Sequence, residues 1–109
     1  VSRIVAFVPD LMDRSKVQAA IQAAGAEAVM VSAVGEVVAA SEGADAVIVD
    51  LGRPGVLEVL GDVQAPSVGF GRHDDTAALD AALAAGCDQV LPRSTFFRGL
   101  DRIVAAHVG

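Results

Sequence analysis

The sequence predicts an α/β protein: a doubly wound five-stranded parallel sheet of order 2-1-3-4-5 with helices on both faces. Three observations carry this. Short apolar runs of strand length alternate along the chain with stretches whose apolar residues recur at i, i+3, i+4 and i+7. The connections are short and rich in Gly, Pro and Asp, as strand-helix-strand crossovers require. The run Ala46 to Val49 is apolar at every position, the mark of a strand covered on both faces in the middle of a parallel sheet.

The elements follow in order. Arg3 to Val8 is the first strand, ended by Pro9 and Asp10. Val17, Ala20, Ile21 and Ala24 then define one helix face, with Asp13 or Ser15 to cap its start and Gly25 to end it. Ala28 to Val31 is the second strand, and Val34, Val37 and Val38 mark a weaker helix stopped at Gly43. After the central strand, Pro54 suits the first position of a short helix carrying Val56, Leu57, Val59 and Leu60 and stopped by Gly61. Pro66 to Phe70 is the fourth strand. Asp74 or Asp75 caps a fourth helix with Leu79, Ala82 and Leu83 on one face and Gly86 at its exit. Gln89 to Leu91 is the fifth strand, and Ser94 or Thr95 opens a last helix whose Phe96, Leu100, Ile103, Val104 and His107 share a face.

At 109 residues the chain has room for one domain, spanning 1–109. A net charge of −6, with cations spread from Arg3 to Arg102, argues against nucleic-acid binding. The N-terminal apolar run is too short for a leader or a membrane span, so a cytoplasmic protein with no membrane partner is expected. Cys87 is the single cysteine; it suits a small buried hydrophobe, no intrachain disulfide is possible, and nothing resembles a zinc cluster.

In open α/β sheets, ligands and chemistry collect at the carboxyl ends of the strands. Following each predicted strand to its end gives Asp10, Asp50, the segment Gly69 to His73, and Arg93 with Ser94. Asp50 stands out, because a carboxylate directly after a fully apolar strand needs a partner. Arg93 is the cation expected to neutralise it. Asp10 equally suits a turn in which it accepts from backbone amides. Gly69 and Gly71 would leave amides open to a ligand, and with Arg53, Arg72, His73 and Arg93 they would form an edge able to take a phosphate or carboxylate. No G-x-G-x-x-G follows the first strand, no G-x-x-x-x-G-K-[ST] occurs, and no Ser-His-Asp or Cys-His arrangement stands out, so no enzyme is expected.

Along its whole length the chain resembles a receiver domain of two-component response regulators, within the flavodoxin-like class. The resemblance rests on the acidic turn after the first strand, on DLGRPG at Asp50 to Gly55, and on AAGCDQVLPRS from Ala84. It implies a phosphoacceptor at Asp50 and a Mg²⁺ site at Asp10 and Asp50. Three departures mark an atypical, stand-alone pseudo-receiver. The acid pair that holds Mg²⁺ in receivers is reduced to Pro9 and Asp10, leaving at most a weak site and no required cofactor. Gly71 takes the place of the Ser or Thr that contacts the phosphoryl group, and Arg93 that of the lysine.

The function expected on this basis is signalling through a protein partner, a kinase or an effector, with a degenerate site at Asp50. A working phosphoacceptor and a binder of a small anionic ligand are the alternatives. Phe97 falls off the core face of the last helix and would be exposed, which suggests a homodimer through that helix.

Overall fold

A computed structural model describes residues Val1–Gly109. The strands are β1 (Arg3–Phe7), β2 (Glu27–Met30), β3 (Ala46–Asp50), β4 (Ser67–Gly71) and β5 (Gln89–Pro92). The helices are α1 (Leu11–Ala23), α2 (Val37–Ser41), α3 (Val56–Val59), α4 (Thr76–Ala84), α5 (Arg93–Arg98) and α6 (Leu100–Ala105). Single 3₁₀ turns precede α2 and follow α3, at Val34–Glu36 and Leu60–Asp62. The sheet is parallel throughout, with the expected order β2-β1-β3-β4-β5.

Alternation along the strands splits the core in two. Ile4, Ala6, Ile48, Val68 and Phe70 face Val17 and Ile21 of α1 and Phe96, Leu100 and Val104 of the last helices. Val5, Phe7, Val47 and Val49 face Val37, Val56, Leu60 and Ala82 on the other side. β1 and β3 therefore have no solvent face, which is why their sequences are unbroken apolar runs. Each Val or Ile so buried contributes roughly 1.5–3 kcal/mol through apolar area removed from water.

The amino ends of two strands are tied by aspartates in similar contexts. Asp45 Oδ2 accepts the Arg3 N–H at 2.8 Å, and Asp88 Oδ2 accepts the Ser67 N–H at 2.8 Å. Each aspartate lies two residues after a glycine with positive φ, Gly43 or Gly86, that leads out of the preceding helix.

Several local expectations shift. α1 is capped by Asp10, not by Asp13 or Ser15: the Asp10 side chain accepts the Asp13 N–H, which places Asp13 inside the first turn. Pro54 lies in the turn before α3, and Gly55, at φ 85°, supplies the left-handed step that starts it. Leu83 is exposed, because α4 lies over β4 and the edge strand β5 and needs only a narrow inward strip centred on Ala82. The last helix begins at Arg93 without a side-chain cap and breaks at Gly99 into α5 and α6. That break turns Phe97 inward. It lies edge-on to Phe70 and Phe96, with centroids 5.3 and 5.0 Å away, and so is not the exposed ring on which self-association rested.

Candidate functional site

Register fixes the rim. Phe7 pairs with Val49, Asp50 with Phe70 and Gly71 with Pro92, so the carboxyl ends of β1, β3, β4 and β5 lie side by side. Asp10, Asp50, Gly71 and Arg93 thus come to one edge of the sheet, as their positions after the strands required. How they are partnered differs from expectation.

Asp50 closes β3 with its side chain 14% exposed. Oδ1 accepts the Gly52 N–H at 2.9 Å, and Oδ2 is approached by Arg53 Nε at 3.4 Å. A Cβ at position 52 would stand 3.3 Å from Oδ1, so a glycine there keeps the amide close. The Arg53 side chain is 40% exposed, and an ion pair of this kind is worth about 0–1 kcal/mol.

Arg93 does not bond Asp50. Its Nη1 donates to Asp13 Oδ2 at 2.6 Å and its Nη2 to Asp13 Oδ1, a bidentate fork onto a carboxylate only 3% exposed. The reason is register: Pro92, not Arg93, ends β5 opposite Gly71, and one residue further on the chain is already helical and turned toward α1. The guanidinium also lies 5.0 Å from the Phe97 ring centroid, with Lys16 Nζ 5.5 Å from the same ring. Asp13 raises the pKa of Arg93, and the charges of Asp50 and Asp10 add to the effect. Asp10 is exposed; the Asp13 N–H that it caps holds its carboxyl below the usual carboxylate range, with lesser help from Arg93 and Arg53.

The Gly69 to His73 segment is not an open cradle. A Cβ at Gly69 would sit 2.8 Å from Leu51 Cδ2, and one at Gly71 would sit 3.3 Å from Leu79 Cδ2. Both glycines are buried and make room for Leu51, so their amides do not face a ligand. Arg72 forks onto Asp74 at 3.1 and 2.8 Å in solvent, while His73 and Ser94 are exposed and do not touch Asp50. None of the surface grooves, whose volumes range from 310 to 510 Å³, opens at this rim.

The rim oxygens do not fit a magnesium ion as they stand. Asp10 Oδ1 holds an amide, Asp50 holds Gly52 and Arg53, and Asp13 is saturated by Arg93. No three His, Cys, Asp or Glu side chains are grouped to hold a metal. Asp13 is the rim residue that the sequence reading took only for a cap. Its signal was present: it lies four residues before Val17 on the inward stripe of α1, where a carboxylate has to find a cation.

A parallel sheet of this order, with an acid at the end of its central strand, is the architecture of flavodoxin-like signalling and ligand-binding proteins. Among them the chain has the fold of response-regulator receiver domains. It is similar to a response regulator from Hahella chejuensis (15% identity, TM-score 0.82, covering 99% of this chain and 96% of that one). It is similar to the Francisella response regulator 1452 receiver domain (15%, 0.78, 98% and 96%) and to a CheY-like protein, TadZ, from Pseudomonas aeruginosa PAO1 (16%, 0.77, 99% and 100%). No protein-family model matches the sequence, and no curated protein matches it. No helix is long and apolar enough to cross a membrane.

Proposed function

We propose that the protein is a receiver-like signalling module that acts by binding another protein in the cytoplasm, without enzymatic activity and with Asp50 as a degenerate phosphorylation site. One observation supports this above the rest. Asp50 ends the central strand, the place that the resemblance gives to a phosphoacceptor, yet other charged side chains of this edge are spent on one another: Asp13 on Arg93, Asp10 on the cap of α1. Gly71 and Pro92, which end β4 and β5, have neither a hydroxyl nor an amine to meet a phosphoryl group. Phosphorylation adds roughly −1.5 to −2 charge units at one side chain, and a receiver responds through such groups.

The test is incubation with acetyl phosphate and Mg²⁺, then with beryllofluoride, followed by intact mass and amide chemical shifts. No adduct and no shift are expected. A stoichiometric adduct at Asp50, with shifts spreading into α5 and α6, overturns the degenerate site.

The working phosphoacceptor is the second reading, favoured by the loose 3.4 Å hold of Arg53 on Asp50 Oδ2, which leaves that oxygen nearly free to attack. It requires labelling by a phosphodonor that Asp50→Asn abolishes. The anionic-ligand reading has less support, since Arg72 and Arg93 each already hold a carboxylate.

A further inference from the structure

A surface groove of 390 Å³ lies between the edge strand β5 and the helices α5 and α6, and none of the rim residues lines it. Gln89 and Leu91, alternate residues of β5, form one wall; Thr95 and Arg98 of α5 and Arg102 and Ile103 of α6 form the other. Leu91 and Ile103 pack against the core, so the apolar part of the groove is held in place. Its only charged residues are Arg98 and Arg102. Both are exposed, and neither has a carboxylate partner in a chain with 14 acids to 8 cations, where Arg53, Arg72 and Arg93 have each found one. Asp101, between them in sequence, lines the neighbouring groove toward α1 instead, which Arg98 also borders. The Gly99 N–H bonds the Thr95 carbonyl at 3.1 Å and the Ile103 N–H that of Gly99 at 2.9 Å, so helical spacing persists across the break. Two like charges four residues apart then disfavour the helix, and an anion held between them removes the repulsion.

We propose that this groove binds a small phosphate monoester with an apolar body, the phosphoryl group between Arg98 and Arg102 and the body against Leu91 and Ile103. A guanidinium fork matches phosphate oxygens with paired N–H donors, and two forks balance the two charges of a phosphate monoester, where a carboxylate carries one. Gln89 and Thr95 add neutral polar groups, and the volume falls in the range of about 300–1,000 Å³ usual for small-molecule sites. A ligand seated there touches α5 and α6 on both sides of Gly99 and so fixes the break between them. The proposal goes beyond the signalling reading and does not rest on it, since Asp50 takes no part.

The probe is phenyl phosphate, titrated into the full chain and followed by the amide shifts of residues 89–91 and 95–106. Saturable shifts centred on these residues are expected. Inorganic phosphate should bind at least about tenfold more weakly, since burial of roughly 60 Å² of ring is enough for that factor. Arg98→Gln combined with Arg102→Gln is expected to abolish the shifts, and Arg14→Gln, which removes a charge outside the groove, to leave them. Because the two arginines repel, the unliganded double variant is expected to unfold in urea no earlier than the wild type. No saturable shift, equal affinity for inorganic phosphate, or loss of binding in Arg14→Gln overturns the proposal. A lower urea midpoint of the double variant does so too, since it makes the pair structural. A phosphotyrosine peptide bound more tightly than phenyl phosphate assigns the groove to a protein and is equally fatal.

Discussion

Gly69→Ala should destabilise the protein, and the same methyl should do little harm once Leu51 is cut to alanine. The backbone at position 69 is ordinary β4 strand with no positive φ, so alanine adopts it freely. On entropy alone the change would stabilise by about 0.4–1 kcal/mol. Against this, the new Cβ would lie 2.8 Å from Leu51 Cδ2, 2.9 Å from Cγ and 3.0 Å from Cδ1. Because the branching carbon itself is too close, rotating the Leu51 methyls brings no relief, and at 5% exposure the side chain has nowhere to go. Overpacking of this kind costs about 1–3 kcal/mol and outweighs the entropy gain, leaving a net loss on the order of 1–2 kcal/mol. At roughly 4–8 °C per kcal/mol for a chain of this size, the melting midpoint falls by about 4–15 °C. Leu51→Ala alone should cost about 2–5 kcal/mol, but in the double variant the added methyl enters the vacated space. Urea unfolding of the four proteins then gives a coupling of about 1 kcal/mol or more. A Gly69→Ala protein as stable as the wild type, or additivity within about 0.5 kcal/mol, would refute the packing role and return Gly69 to the open-amide reading.

Three further outcomes are expected. Burial pushes the Cys87 thiol up, and its Sγ sits 3.4 Å from the Gln89 carbonyl and 3.7 Å from that of Ser67. Cys87 should therefore react with a disulfide reagent at pH 8 only as fast as the chain opens, so labelling at a free-thiol rate without urea would contradict its placement. Gly99→Ala should stabilise by about 0.4–1 kcal/mol, since Gly99 has negative φ and its Cβ would meet only ordinary contacts at 3.5 and 3.8 Å; a lower urea midpoint would show that the break between α5 and α6 needs glycine. Asp10 is held below its ordinary value of 3.8, so the unfolded chain takes up its proton first; its contribution to stability is complete above that pH and is lost as pH falls through the lower folded value. Asp10→Asn keeps an N-cap acceptor but not the titration, so stability should fall less steeply below about pH 4, and an unchanged slope in urea unfolding would contradict the cap.

The sheet was legible because each of its signals is local. Ala46 to Val49 announces a two-sided strand by composition, and Val17, Ala20 and Ile21 announce a helix face by spacing. Strand order then follows from short crossovers of a single hand. Local rules faltered where a second element decides the outcome. Asp13 looks like a cap of α1 and Asp10 like a turn residue, and only the arrival of Arg93 from 80 residues away assigns Asp13 to the interior. Leu83 has the right spacing to be buried, but the width of the surface beneath α4 is set by β5 being an edge strand. Gly69 and Gly71 read as open amides until Leu51, just past the end of a neighbouring strand, is found filling the space beside them.

The rim shows how little displacement separates one chemistry from another. Had the chain placed its cation at position 92, the last residue of β5, that side chain would have stood opposite Gly71 within the sheet register. Placed one residue later, at the start of α5, it reaches Asp13 of α1 instead, because side-chain direction in a strand reverses at every residue and a helix start redirects it again. A charge held by a buried carboxylate is costly to move, since breaking the pair would leave Asp13 unpartnered in the interior. Asp50 is accordingly left with an amide and one loosely held arginine, Arg53. The firmly held charge at this edge is Arg93, and it ties the start of α5 to α1 through Asp13 while Asp50 is held only loosely. For that reason the structure around α1 and α5 should respond to Arg93→Gln more widely than to Asp50→Asn. Comparing the amide shifts of the two variants tests this directly, and larger, wider changes from Asp50→Asn would count against it.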